Sequence, residues 1–479
     1  MEHFSLKKAA LINSTAKFIN ILIQVIYSAI LARVLSPADF GIVAIIVVFI
    51  NFFMIFADMG IGPAVIQNKT LNENDMNHIF SFTFYLGIVL ALLFMILSIP
   101  ISIFYNNSIY VPLGLILSIS LFFNTINMVP NAILLKEKRF MTVGVRMVVI
   151  SIACSVITII LATLGFKYYS ITLYSVLVSV FTFLWNFFSV RLKFRFKVER
   201  YCIKKIANFS SYQFAFNFIN YFSRNLDNLS IGKFMGDSAL GYYDKGYRLM
   251  LYPVGNLSGI ITPIMHPILS DYQEDLKFIY DRYLKIAKIL SLMGVFISLF
   301  SFYSSSELVL IVFGDQWIST TKIFKWLSLS IWPQMITSCS GSIFQSLGKT
   351  KLMFRTGILT SIITVLAISV GIKFRNLEIV SALVSFSYFL HFFIANMILV
   401  KYGFKYSYGK FLSFFLPDVI IYVITGVFMT LIVNIDFDNI YLSIIFKFIV
   451  SILIYLFALI FTKQYNYFMS IFRRGDNMK

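Results

Sequence analysis

Fourteen stretches of about 18 to 25 mostly apolar residues recur along this 479-residue chain, each long enough to cross the hydrocarbon core of a bilayer as a helix. They run approximately over 11–32, 40–63, 80–104, 110–134, 141–164, 168–190, 207–234, 242–266, 284–304, 322–345, 353–373, 377–399, 412–433 and 440–462. At 59% hydrophobic and 13% charged residues, no soluble domain could bury the apolar surface this chain carries. The expected fold class is an all-α integral membrane protein of about 14 transmembrane helices. Lys and Arg in short loops stay on the cytoplasmic side. With the N-terminus inside, about two thirds of the 40 Lys and Arg residues fall in cytoplasmic segments, which predicts that both termini are cytoplasmic.

One apolar stretch is striped with polar residues. Ser210, Gln213, Asn217, Asn220, Arg224 and Asp227 recur at alternating steps of three and four, which puts all six on one face of a helix. Ser210 to Asp227 covers about 25 Å at 1.5 Å per residue, nearly the depth of the hydrocarbon core. Such a face is expected to line something wet.

An ungapped offset of 200 carries the stripe back onto Ala10, Asn13, Lys17, Asn20, Gln24 and Tyr27, so five of the six positions are again polar. The same offset aligns Arg33 with Lys233, Gly41 with Gly241 and Pro63 with Pro263. Leu117-Ser118-Ile119-Ser120 matches Leu327-Ser328-Leu329-Ser330 only at an offset of 210. The chain is therefore read as two related lobes. The expected domains are an N-lobe over 1–190, a basic cytoplasmic linker over 191–206, a C-lobe over 207–400, and two extra helices with a cytoplasmic tail over 401–479. The linker holds the densest cationic run, Arg191, Lys193, Arg195, Lys197, Arg200, Lys204 and Lys205, which reads as a topology determinant touching anionic membrane lipid. The net charge of +19 is otherwise dispersed over many loops, so no nucleic acid is expected as a partner.

Several function classes are excluded on the same grounds. His3, His78, His266 and His391 are scattered with no HExxH or Cys/His ligand spacing, and Cys154, Cys202 and Cys339 are odd in number and far apart, so no metal site or disulfide framework is expected. No GxxxxGK[ST] loop is present, so energy would come from an ion gradient or from the substrate gradient. The first external loop is only Arg33 to Phe40, and the longest is taken to be Ser305 to Thr321, too small for the large loops of membrane glycosyltransferases and polymerases. A transporter without a cofactor, not an enzyme, is what remains.

Four motifs then carry a resemblance. Leu35-Ser36-Pro37-Ala38-Asp39-Phe40-Gly41, Asp58-Met59-Gly60 running to Ala64-Val65-Ile66-Gln67, Arg224-Asn225-Leu226-Asp227-Asn228, and Ala239-Leu240-Gly241-Tyr242-Tyr243-Asp244-Lys245 resemble those of Wzx-type polysaccharide flippases. The similarity points more narrowly to the colanic-acid and teichuronic-acid exporter branch of the multidrug/oligosaccharidyl-lipid/polysaccharide exporter superfamily. It covers nearly the whole chain and thins over the last two helices. The resemblance implies two six-helix lobes around a central cavity, two further C-terminal helices, and alternating access. It also implies an undecaprenyl-diphosphate-linked glycan as substrate, moved from the inner to the outer leaflet of a bacterial cytoplasmic membrane for capsule or exopolysaccharide export. H⁺ or Na⁺ as a coupling ion, a polysaccharide polymerase and other export machinery are further partners it suggests. The alternatives within the superfamily are a multidrug cation antiporter and a peptidoglycan lipid-precursor flippase.

On this reading Gln213, Asn217, Asn220, Arg224, Lys17, Asn20 and Gln24 are the candidate substrate-binding residues, because sugar hydroxyls need hydrogen-bonding partners and a diphosphate needs a cation. Asp227 would couple an ion or pair with Arg224, and a purely structural Arg224–Asp227 pair is the alternative. Asp58, just before Gly60, Gly62 and Pro63, would serve ion coupling or mark a loop boundary. Pro253, Gly255, Gly259 and Pro263 would let the eighth span flex as a hinge, against simple small-residue packing. Arg146 is expected to snorkel to the head groups, which is also the alternative for Lys17, and Lys233, Lys245 and Arg248 to be solvated loop cations, against a role in guiding phosphate release.

Overall fold

The computed structural model describes residues 6–58, 61–68, 70–199, 201–202, 221, 225–270, 272–273, 275–432, 435, 437–465 and 467, and side chains for these except 6–14, 63, 67, 258–268 and 270. By compactness the chain divides into Met1–Gly241 and Tyr242–Lys479. Among the described residues every regular element is helical. Eleven helices among the described residues are long and apolar enough to cross a membrane.

In the first unit the helices are α1 (Leu6–Val34), α2 (Pro37–Asp58), α3 (Ile61–Gln67), α4 (Glu73–Tyr105), α5 (Tyr110–Ile126), α6 (Met128–Lys136), α7 (Phe140–Thr163) and α8 (Tyr168–Ser189). The helix α4 starts on a capping box, in which Asn72 accepts from the Asp75 N–H and Asp75 accepts from the Asn72 N–H. It packs on α5, α5 on α2 and α8, and α7 on α1 and α8. Residues 225–235 form another helix in this unit. The Tyr105 hydroxyl donates to Leu229 O at 3.1 Å, and the Tyr221 hydroxyl donates to Val48 O.

The expected linker has a definite conformation over 191–199. It runs extended against the start of α4, with Lys193 N–H donating to Asn77 Oδ1 and Arg195 N–H to Ser81 Oγ, both at 2.7 Å. The Tyr85 hydroxyl donates to Phe196 O at 3.0 Å. Side chains alternate along it as on any extended segment. Leu192 and Phe194 turn onto the cluster of Ile61, Val65, Ile79, Phe80 and Val129, while Arg191, Lys193, Arg195 and Lys197 are exposed.

The second unit holds α9 (Asp237–Ser270), which begins just before the division, then α10 (Leu276–Tyr303), α11 (Ser305–Phe313), α12 (Ile318–Ser328), α13 (Ile331–Thr337), α14 (Ser340–Ser346), α15 (Thr350–Lys373), α16 (Leu377–Met397), α17 (Tyr408–Ile432) and α18 (Ile440–Phe461). The helix α10 packs on α13, α17 and α18, and α15 packs on α16.

The described residues depart from the fourteen expected spans in three places. Most of 207–234 lies outside them. The span expected at 242–266 belongs to the continuous helix α9, which carries Asp244, Lys245 and Arg248 in its first half and is not among the eleven. The span expected at 322–345 is broken into α12, α13 and α14. Ser328, Ser330, Ser338, Ser340 and Ser342 each turn the hydroxyl back onto a carbonyl three residues earlier, and Pro333 has no N–H to continue the ladder. The external loop expected over Ser305–Thr321 is also corrected: it is α11, a left-handed Gly314 and a 3₁₀ turn over Asp315–Trp317, with Phe313 and Trp317 buried.

Candidate functional site

The motif Leu35 to Gly41 is a helix start joined to a close crossing. The Ser36 N–H and hydroxyl donate to Asp39 Oδ2 at 3.0 and 2.7 Å, and the Asp39 N–H donates to Ser36 Oγ at 3.3 Å. Pro37 occupies the first helical position, where its missing N–H costs nothing. Four residues on, a β-carbon at Gly41 would lie 1.8 Å from Asp237 O, and one at Gly241 would lie 1.9 Å from Pro37 O. The two contacts exchange partners at the offset of 200 seen in the sequence. Backbone meets backbone there, and the Tyr110 hydroxyl donates to Asp237 Oδ1 at 3.3 Å beside it.

Of the candidate substrate residues, Lys17 and Gln24 are exposed and Asn20 is half-buried along α1, within the candidate span Thr15–Val34. Gln213, Asn217, Asn220 and Arg224 lie outside the described residues. Asp227 is buried, with its Oδ1 accepting from the Asn228 N–H at 2.8 Å. Asp58 is exposed at the end of α2. Pro253 and Gly255 sit inside α9, as do the backbones of Gly259 and Pro263, and the helix continues through all four. A β-carbon at Gly255 would meet no described atom within 4 Å, so packing does not call for glycine at that position.

Of four cations expected in solvent or at the head groups, Lys245 and Arg146 are buried instead. Lys245 is buried, with its ammonium 5.2 Å from the Phe313 ring centre and 5.7 Å from that of Trp317. Arg248 pairs with Asp244 at 2.7 Å, one turn away on α9. Lys233 donates to Phe104 O and sits 4.6 Å over the Phe104 ring. Lys245 is thus enclosed where solvent was expected, whereas Lys233 is half-buried and Arg248 exposed, and all three lie on helices rather than in loops. Arg146 does not snorkel either: it is buried, and its Nη1 donates to Asn131 Oδ1 at 3.2 Å and to Asn186 Oδ1. The face of α7 that carries it meets α6 and α8, so the guanidinium has amide partners within reach.

Two charge pairs, one of them buried on both sides, went unread in the sequence. Lys288 on α10 pairs with Asp418 on α17, and Lys447 on α18 with Glu307 on α11. Burial alone would raise the Glu307 carboxyl, but hydrogen bonds from Lys447 and Ser443 outweigh it and hold it below the usual range. A period-based reading could have flagged Lys288, Asp418 and Lys447 as charges inside apolar stretches, with Glu307 in the loop after one of them, yet nothing local pairs them. No group of His, Cys, Asp and Glu among the described residues could hold a metal ion.

The model of the family described as "Polysaccharide biosynthesis protein" matches residues 30–322, well over half of the chain. The chain belongs to that family. Relatives of the chain include the teichuronic acid biosynthesis protein TuaB of Bacillus subtilis, 23% identical over 346 residues covering 70% of this chain and 69% of that one. The lipopolysaccharide biosynthesis protein WzxC of Escherichia coli is 23% identical over 365 residues, 75% of this chain and 73% of that one. Among solved structures, the lipid II flippase MurJ in an inward closed conformation superposes with a TM-score of 0.74 at 17% identity, over 95% of this chain and 99% of that one. An inward-facing multidrug resistance MATE family transporter superposes at 0.61 and 16% identity, over 83% and 99%. The fold is that of these two solved structures, a lipid II flippase and a multidrug transporter, neither of which is an enzyme.

Proposed function

We propose that this protein flips an undecaprenyl-diphosphate-linked oligosaccharide across the bacterial cytoplasmic membrane by alternating access, with both termini on the cytoplasmic side. The observation that carries the reading is the line of Lys17, Asn20 and Gln24 on a membrane-spanning helix, with Lys17 and Gln24 left exposed. Lys17 lies in the first turn of the candidate span, away from the helix centre where a lysine costs about 2.5–3.5 kcal/mol, and Asn20 and Gln24 continue its side of α1 inward, a line best accommodated against water or a polar ligand. An oligosaccharide head group needs such a surface, because each sugar hydroxyl moved into lipid without a partner costs several kcal/mol. The relatives TuaB and WzxC, named for teichuronic acid and lipopolysaccharide biosynthesis, support a glycan as the cargo. The positive charge of Lys17 and Arg224 favours a diphosphate over a drug cation.

In this scheme Lys17 and Arg224 hold the diphosphate. Asn20, Gln24, Gln213, Asn217 and Asn220 hold sugar hydroxyls, Asp227 and Asp58 bind a coupling H⁺ or Na⁺ or balance charge, and α9 bends at Pro253, Gly255, Gly259 and Pro263. The two lobes, 1–190 and 207–400, rock about the linker, and 401–479 adds the two further helices. Changing Asn20 and Gln24 to Leu, or Asn217 and Asn220 to Leu, is expected to leave membrane insertion intact, since lipid favours Leu, and to lower surface polysaccharide severalfold. Normal surface polysaccharide with all four changed would mean that these faces pack against protein. Arg224→Gln is expected to abolish export, and adding Asp227→Asn is expected not to restore it. Recovery in the double variant would make Arg224 a structural partner of Asp227, because removing both charges removes the unpaired one.

A further inference from the structure

The buried Lys288 and the half-buried Lys447 each meet a carboxylate. Arg146, 8% exposed, has no ion pair among the described residues. Its hydrogen-bond partners are the neutral side-chain oxygens of Asn131 and Asn186, and both bonds use Nη1. Asn186 is oriented in turn by donating from Nδ2 to Asn127 Oδ1 at 2.7 Å. A guanidinium has five N–H donors in a planar fork, so its Nε and Nη2 edge holds three that these bonds leave unused. Neutral amides satisfy hydrogen bonds but leave a full positive charge inside a membrane-spanning helix bundle, which is a costly arrangement unless an anion completes it.

The place along the helix says which anion. Arg146 lies six residues from Phe140, about 9 Å inside that end of α7. There Arg139 Nη1 donates to Ser189 O at 2.6 Å, tying the start of α7 to the end of α8, where the cationic segment begins. Lys136, Lys138, Arg139 and the exposed Arg191, Lys193, Arg195 and Lys197 therefore gather at one end of this bundle, and such a patch draws anionic head groups toward it. The unused edge of Arg146 matches the geometry of two phosphate oxygens. We propose that Arg146, oriented by Asn131 and Asn186, is a binding site for a lipid-borne phosphate in the first unit. Its chemistry is shared by a polyprenyl diphosphate and by an anionic phospholipid. The site does not depend on the flipping reading: a chain that exports nothing could still bind here.

The test uses the full chain purified in neutral detergent, with geranyl diphosphate and dihexanoyl phosphatidylglycerol as separate probes and dihexanoyl phosphatidylcholine as the zwitterionic control. Wild type is expected to bind at least one anionic probe saturably, weakening as salt rises, and Arg146→Lys to bind it more weakly. Asn131→Asp keeps Arg146 but gives it an internal carboxylate, so it is expected to unfold at the same or a higher temperature and to lose affinity about tenfold or more. That variant keeps the test sound if Arg146→Gln does not fold. Preference for the diphosphate identifies a cargo-type lipid, and preference for phosphatidylglycerol identifies a membrane lipid. Wild type that binds neither, or Asn131→Asp that binds both as wild type does, overturns the proposal.

Discussion

Asp418→Ala is expected to destabilise the protein by about 3–5 kcal/mol, because it leaves the Lys288 ammonium buried and unpaired. Both partners are fully enclosed, at 1% and 0% exposure. The Asp418 carboxylate takes Lys288 on Oδ1 and the Ser291 hydroxyl on Oδ2 at 2.6 Å, and Ser291 Oγ accepts from Trp332 Nε1 at 3.0 Å. Lys288 also donates to Phe414 O at 3.1 Å. Removing the carboxylate thus strips partners from α10 and loosens the network that runs from α13 to α17. Replacing both members, Lys288→Met with Asp418→Leu, is expected to recover most of the loss, since two apolar side chains leave no charge to desolvate. Thermal unfolding of the detergent-purified protein reads both. An Asp418→Ala variant as stable as wild type would mean that Lys288 finds another partner and that the pair does not tie α17 to α10.

The second large effect is expected at the glycine crossing. Gly41→Ala and Gly241→Ala each place a methyl within 2 Å of a backbone oxygen, where no side chain can turn aside. Overpacking a core usually costs about 1–3 kcal/mol, and a clash against backbone belongs at or above the top of that range. Each variant is expected to lose most of its folded protein, and to a similar extent, because the two contacts are reciprocal. Gly255→Ala is the control: with no described atom within 4 Å of the added methyl, it is expected to fold as wild type and, if α9 flexes there, to lower export alone. Monodispersity and unfolding temperature in detergent separate these outcomes. Wild-type stability in Gly41→Ala would mean that the helix starts slide apart at little cost and that the crossing is not a fixed point of the fold.

Much of this architecture is legible in the chain because its signals are local. A membrane helix satisfies its own backbone hydrogen bonds, so length and hydropathy suffice to place it, and spans such as 168–190 and 440–462 meet Tyr168–Ser189 and Ile440–Phe461 within a residue at either end. Ser36 and Asp39 are three apart and cap their own helix, and Gly41 and Gly241 stand out by their common offset of 200. The break at 318–346 is local too, but serines that bond their own backbone look like any polar face until the carbonyl they choose is known. Charge was decided by tertiary structure. Lys245 and Arg146 could equally have reached solvent, and only the neighbouring helices enclose them. Lys288 and Asp418 are 130 positions apart, and the packing of α10 on α17 alone makes them partners. Hydropathy says that a residue crosses the bilayer. Which side of its helix meets a neighbour, and so whether a charge is paired, bare or wet, is a property of the packed bundle.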